Sequence, residues 1–123
     1  MMNPNTQLTE VELSSARRTF DPDLQPRLRD EDAASLAEAF KAIGHPVRVK
    51  ILDLISQGGG DVCGCDIERH FDLTQPTISH HLKVLRDAGL IQSEPRGVWM
   101  HHRVNAVMVA SMQALLASMD GRG

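Results

Sequence analysis

Apolar residues recur at helical spacing over most of this chain. In residues 30–43, Ala33, Leu36, Ala37, Phe40 and Ile43 form one stripe, behind a first turn crowded with acid. Gly44 ends that helix, and Pro46 opens the next, whose buried stripe reads as Val47, Ile51, Leu54 and Ile55. Gly58-Gly59-Gly60 stops it. A short helix is predicted from Asp66 to Phe71, then a turn at Leu73-Thr74-Gln75-Pro76, then a longer helix from Gln75 to Ala88. Ile78, Leu82 and Leu85 share one face of that helix; Thr77, His80, Lys83, Val84 and Asp87 share the other. Two extended runs, Leu90 to Glu94 and Val98 to Val104, flank Pro95-Arg96-Gly97 as a hairpin. From Asn105 on, Val107, Met108, Met112, Leu115, Leu116 and Met119 again repeat at helical spacing. Before residue 30 the pattern is mixed. Leu8, Val11, Ala16 and Phe20 suit an irregular amphipathic helix that Asp21-Pro22 and Pro26 break.

This order predicts a mainly α fold with a β-hairpin, a winged helix-turn-helix. It divides the chain into an extension over residues 1–30 and a DNA-binding and sensor domain over 31–119. With 123 residues there is room for one such domain. Only 3% of the residues are aromatic, so the core must come from Leu, Ile, Val, Ala and Met. No apolar run is long enough to cross a bilayer, and the N-terminus lacks the plan of a signal peptide. A cytoplasmic protein is expected, with no membrane partner and with Cys63 and Cys65 as reduced thiols.

Charge complicates a DNA-binding reading, because the net value is -3. The acidic excess lies in residues 1–44, however, and residues 45–104 balance. Screening confines each charge to about 10 Å, so a local positive face still binds phosphates. In a winged helix-turn-helix the second helix enters the major groove. Gln75, Thr77, Ser79 and His80 are the candidates to meet base edges, Lys83 and Arg86 to meet phosphates, and Arg96 at the hairpin tip to reach the backbone or minor groove. The competing reading is that Thr77, His80 and Lys83 merely solvate a helix. No nucleophile–base pair or phosphate loop points to an enzyme, and no cofactor is required.

The segment Asp61-Val62-Cys63-Gly64-Cys65-Asp66-Ile67 carries the other candidate chemistry. Cys65 falls at the expected N-cap of the short helix, where Ser or Thr is usual. A helix N-terminus favours the thiolate, and thiolates bind soft metals and metalloids. Two cysteines separated by one glycine can converge on one ion, the glycine relieving the backbone. The bland alternative is a pair of buried thiols filling space. A disulfide switch is a further alternative, against which a ring so small is strained.

Three stretches resemble the ArsR/SmtB metalloregulators: Ile43 to Leu52, Thr74 to Ile91 (TQPTISHHLKVLRDAGLI), and Arg96 to Val104. The resemblance covers about residues 33–118. It implies a homodimer joined through the first and last helices, bound to double-stranded operator DNA with inverted-repeat symmetry, its half-sites one helical turn or a multiple apart. It also implies a repressor that leaves its operator on binding a ligand. The thiol segment is similar to the Cys-Val-Cys-Asp-Leu-Cys element of arsenic-responsive members, which hold trivalent arsenic or antimony on three thiolates. Here Glu68 stands at the third position, so As(III) or Sb(III) as inducer meets Cys63 and Cys65 plus another ligand such as hydroxide. A methylarsenite needs only two thiolates. The last helix lacks the Asp and His pairs of the family's zinc sensors, and a four-ligand zinc site would need partners such as His70 or His101. The remaining alternative is a winged-helix regulator responding to another soft metal, to redox or to no ligand.

Overall fold

The computed structural model describes residues 20–121; the expected helix around Leu8, Val11 and Ala16 lies outside them. Helix α1 spans Asp30–Ile43, α2 Pro46–Gln57 and α3 Gly64–Glu68. Helix α4 spans Gln75–Asp87 and α5 Ala106–Ser118. Strands β1 (Val62–Cys63), β2 (Ile91–Arg96) and β3 (Trp99–Val104) form one antiparallel sheet in the order β1-β3-β2.

Local chemistry sets these boundaries. Asp30, Glu31 and Asp32 place negative charge on the first turn of α1, where the exposed amides are positive. At the α1–α2 corner His45 turns extended, and its Nδ1 accepts from the Val47 amide at 3.1 Å while Pro46 starts the helix. Gly58 is needed after α2 because a Cβ there would sit 2.0 Å from Val62 Cγ2. Thr74 caps α4 through its hydroxyl, which accepts from the Thr77 amide at 3.3 Å. Gly97 takes the left-handed conformation that the two-residue turn between β2 and β3 demands.

The core joins all of these elements. Leu36, Ala39 and Ala42 of α1 meet Ile51 and Ile55 of α2 and Ile78, Leu82 and Leu85 of α4. Ile67, Leu90, Ile91, Val62 and Met112 complete it. The expected stripe of α1 is therefore corrected: Ala33 and Ala37 are exposed, and Ala39 and Ala42 are the inward alanines. Val84, expected outward, is half-buried against the core. Helix α5 contributes Met112 fully and Met108 and Leu115 in part, and leaves Val107, Leu116 and Met119 exposed. Among the described residues no helix is long and apolar enough to cross a membrane.

Candidate nucleic-acid interface and thiol site

Helix α4 shows two chemically distinct faces. Gln75, Ser79, His80, Lys83 and Arg86 are exposed along it. Thr77 is half-buried, and its hydroxyl lies 2.8 Å from that of Thr74, so it is tied into the helix cap. Lys83 leans back to Asp87 at 2.5 Å, a pair that is more than half exposed on both sides and open to exchange with another anion.

His81, adjacent to His80, points the other way and seats the helix. Its ring lies 4.6 Å from that of His45, and its Nδ1 lies 3.2 Å from Arg48 Nη1. Arg48 Nε also donates to the Ala42 carbonyl at 2.5 Å, so one guanidinium joins α1, α2 and α4. Burial, then the neighbouring His45, Arg48 and His80, pushes the His81 imidazole below its ordinary value. A neutral ring is the form that can accept from Arg48.

The wing departs from expectation at Arg96. That residue closes β2 opposite Trp99, and the tip is Gly97-Val98, with Val98 94% exposed. The Arg96 guanidinium folds back onto Asp61 and onto Glu94, the latter at 2.7 Å. These carboxylates hold its pKa above the ordinary arginine value, Glu94 contributing most. Arg103 also lies exposed on β3, its Nε donating to Gln92 Oε1 at 3.0 Å.

Thiol chemistry sits where the wing meets the helix-turn-helix. Strand β1 pairs with β3, setting Val62 opposite His102 and Cys63 opposite His101. Cys63, not Cys65, is the N-cap of α3: its Sγ accepts from the Cys65 amide at 3.2 Å. Cys63 and Cys65 are joined as a disulfide, against the expectation of reduced thiols; their Cα atoms lie 5.2 Å apart, within the span that a disulfide bridges. A Cβ on Gly64 would stand 3.4 Å from the Met100 carbonyl, an ordinary contact distance. Asp61, just before β1, touches both Arg96 and His101, the latter at 3.3 Å. Sequence reasoning missed Asp61 and β1 because a two-residue strand shows no alternation.

Buried beneath, His102 is 2% exposed, as its inward position on β3 predicts, and its Nδ1 pairs with Ser93 Oγ at 2.7 Å. Burial first, then Arg86 and His101, lowers its pKa against an opposing contribution from Asp61.

A short helix, a turn, a longer capped helix and a two-stranded wing define the winged helix-turn-helix, a DNA-binding module. Residues 45–93 match the family model described as bacterial regulatory protein, arsR family. The chain is 41% identical over 70 residues to the transcriptional repressor SdpR of Bacillus subtilis, covering 57% of this chain and 76% of that protein. To the arsenical resistance operon repressor of Staphylococcus xylosus it is 42% identical over 62 residues, 50% of this chain and 58% of that one. The fold is similar to that of a homodimeric winged helix-turn-helix DNA-binding domain from Mycobacterium bovis. That match has a TM-score of 0.58 at 22% identity, covering 80% and 93% of the two chains. The chain belongs to the arsR family, whose members are DNA-binding regulators of transcription and not enzymes.

Proposed function

We propose that this chain is a homodimeric transcriptional repressor that leaves an inverted-repeat operator when reduced Cys63 and Cys65 capture trivalent arsenic or antimony. One observation carries the reading. The two cysteines lie 5.2 Å apart at Cα, at the N-terminus of the first helix of the helix-turn-helix. Cysteines whose Cα atoms lie that close can, once reduced, bring both sulfurs onto one ion, and soft thiolates favour soft metalloids. Hydroxide supplies the third ligand of inorganic arsenite, and a monomethyl species needs none. The names of similar proteins support the same direction, since several are arsenical resistance operon repressors.

Capture at Cys63 and Cys65 acts on the start of α3 and on β1, and β1 is bonded to the wing. A shift there alters how α4 and the wing meet DNA together. Ligand and DNA then oppose each other reciprocally, and a coupling of about 1–3 kcal/mol gives 5–150-fold release. Gln75, Thr77, Ser79 and His80 are assigned to base edges, and Lys83, Arg86 and Arg96 to phosphates. Assigning Arg96 this role requires it to exchange Asp61 and Glu94 for the DNA backbone. A second copy is assigned to the groove between α1 and α5, about 510 Å³ in volume and lined by Leu28, Leu36, Val107, Met108 and Leu115. Exposed Leu116 and Met119 extend that apolar face.

Fluorescence anisotropy on an inverted-repeat duplex tests the proposal. Reduced protein should release DNA with arsenite, methylarsenite or antimonite, and Cys63→Ser or Cys65→Ser should bind DNA but ignore all three. Binding that no thiophilic ligand disturbs would sink the sensor reading. The Cys63–Cys65 disulfide favours a second reading, redox control, under which oxidised and reduced protein differ in DNA affinity with no metalloid present.

A further inference from the structure

We infer that His101 on the wing is the third donor of the thiol site, making a sulfur–sulfur–nitrogen set that also takes thiophilic divalent cations. The inference rests on the thiol-site reading above and extends it in both donor and ligand class. Residues directly opposite in an antiparallel ladder project on the same face, with Cβ atoms about 4.5–5.5 Å apart. Cys63 and His101 are such a pair. Asp61, two residues before Cys63, shares that face, whereas Val62 and His102 occupy the other.

The state of the His101 ring fits a ligand. Its Nδ1 is buried, lies 3.3 Å from Asp61 Oδ1 and makes no hydrogen bond in this conformation. A carboxylate beside one ring nitrogen is the arrangement that fixes the tautomer of metal-bound histidines and turns the other nitrogen to the ion. A small rotation of the ring that aligns Nδ1–H with Asp61 leaves Nε2 with the free lone pair. His102 Nε2 is also buried without a partner, 3.6 Å from where a Cβ on Gly64 would stand, but His102 pairs with Val62 on the opposite face of the ladder from Cys63. His70 and Glu68 have less support. His70 lies beyond the far end of α3, lining a hollow that includes Asp61 and Asp66 but neither cysteine. Glu68 is the last residue of α3, with nothing in the structure that aims it at the sulfurs.

In the oxidised form, no three His, Cys, Asp or Glu side chains among the described residues are gathered to hold an ion. A thiol or phosphine reductant supplies the two electrons, and water the two protons, that open the disulfide into two thiols. Capture of a divalent cation then displaces the two thiol protons without electron transfer. Two sulfurs at about 2.3 Å and one nitrogen at about 2.0–2.1 Å, with water as fourth ligand, suit a zinc-like tetrahedral ion. A site so built ties the start of α3 to the middle of the wing strand.

The test uses full-length protein reduced with a water-soluble phosphine. Cadmium is titrated against a competing chelator, and sulfur-to-cadmium charge transfer reports the bound state. Phenylarsonous acid, which needs only two thiolates, is titrated in parallel. Asp61→Asn should weaken cadmium about 10–100-fold, and His101→Gln should weaken it at least as much. Glu68→Gln should change nothing, and phenylarsonous binding should survive all three. His101→Cys, which restores a third soft donor, should recover cadmium and tighten inorganic arsenite. Unchanged cadmium affinity in His101→Gln, or a loss confined to Glu68→Gln, would overturn the assignment of His101. Failure of the wild-type protein to bind phenylarsonous acid would instead remove the thiol-site reading beneath it.

Discussion

Asn105 joins the end of α4 to the start of α5, and its replacement has a calculable cost. Its Oδ1 accepts from the Val107 and Met108 amides at 3.2 and 3.4 Å, capping α5. Its Nδ2 donates to the Gly89 carbonyl at 2.8 Å, just past the end of α4. Loss of an Asn cap costs about 1 kcal/mol. Loss of the bond to Gly89, leaving a half-buried carbonyl unsatisfied, costs about 1 kcal/mol more. Asn105→Ala should therefore destabilise by about 2 kcal/mol in total. Asn105→Asp keeps the capping oxygen and removes only the donor, so about half of that is expected. Urea unfolding followed by circular dichroism at one fixed protein concentration measures both, with the slope unchanged between variants. Equal losses for Ala and Asp would refute the separation of cap from clasp. An Ala variant within about 0.5 kcal/mol of wild type would refute both contributions.

Acid should weaken the fold through His81 and His102. Both pKa values are lowered in the folded state, chiefly by burial, whereas the unfolded chain titrates near 6.5. Below about pH 6.5 the unfolded state binds more protons. Stability should thus be flat above that value and fall as pH drops toward the folded pKa values; a urea midpoint that rises on acidification would contradict this. Gly58→Ala should cost about 1–3 kcal/mol through overpacking, because the new methyl meets Val62 Cγ2 at 2.0 Å. Gly64→Ala, whose nearest contact would be 3.4 Å, should cost far less, as thermal melts of the two variants will reveal. Lys83→Ala should lower the slope of log affinity against log salt by about 1 and weaken all DNA sequences alike. A sequence-selective loss in the same titrations would move Lys83 from phosphate to base contact.

Strong local signals made most of the fold legible. Proline starts, glycine stops and a period of 3.6 placed α2 and α4 to within a residue at most of their ends, and Ile51, Ile55, Ile78, Leu82 and Leu85 are all buried as their spacing requires. In α1 the signal was weaker, because alanines stand on several faces and only packing chooses Ala39 and Ala42 over Ala33 and Ala37. At the thiol segment the decisive contacts are long-range. Cys63 meets His101, and Asp61 meets Arg96, through a two-residue strand that has no periodicity of its own. The same pairing with β3 moves the start of α3 back to Gly64, which transfers the cap from Cys65 to Cys63.

That displacement bears on how a ligand reaches DNA. With Cys65 as cap, an ion would act on one short helix alone. With Cys63 as both cap and strand residue, each sulfur reports to a different element: Cys65 to α3, Cys63 to the sheet. Asp61 extends the sheet side of this junction, because its carboxylate holds Arg96 at the end of β2. Helix α4 is anchored through His81 and Arg48 to α1 and α2, and packs on β2 as well. A ligand that moves β1 and α3 can therefore shift the wing relative to α4. If DNA engages both surfaces at once, as proposed, a change in their relative placement suffices to oppose binding, with no unfolding of either.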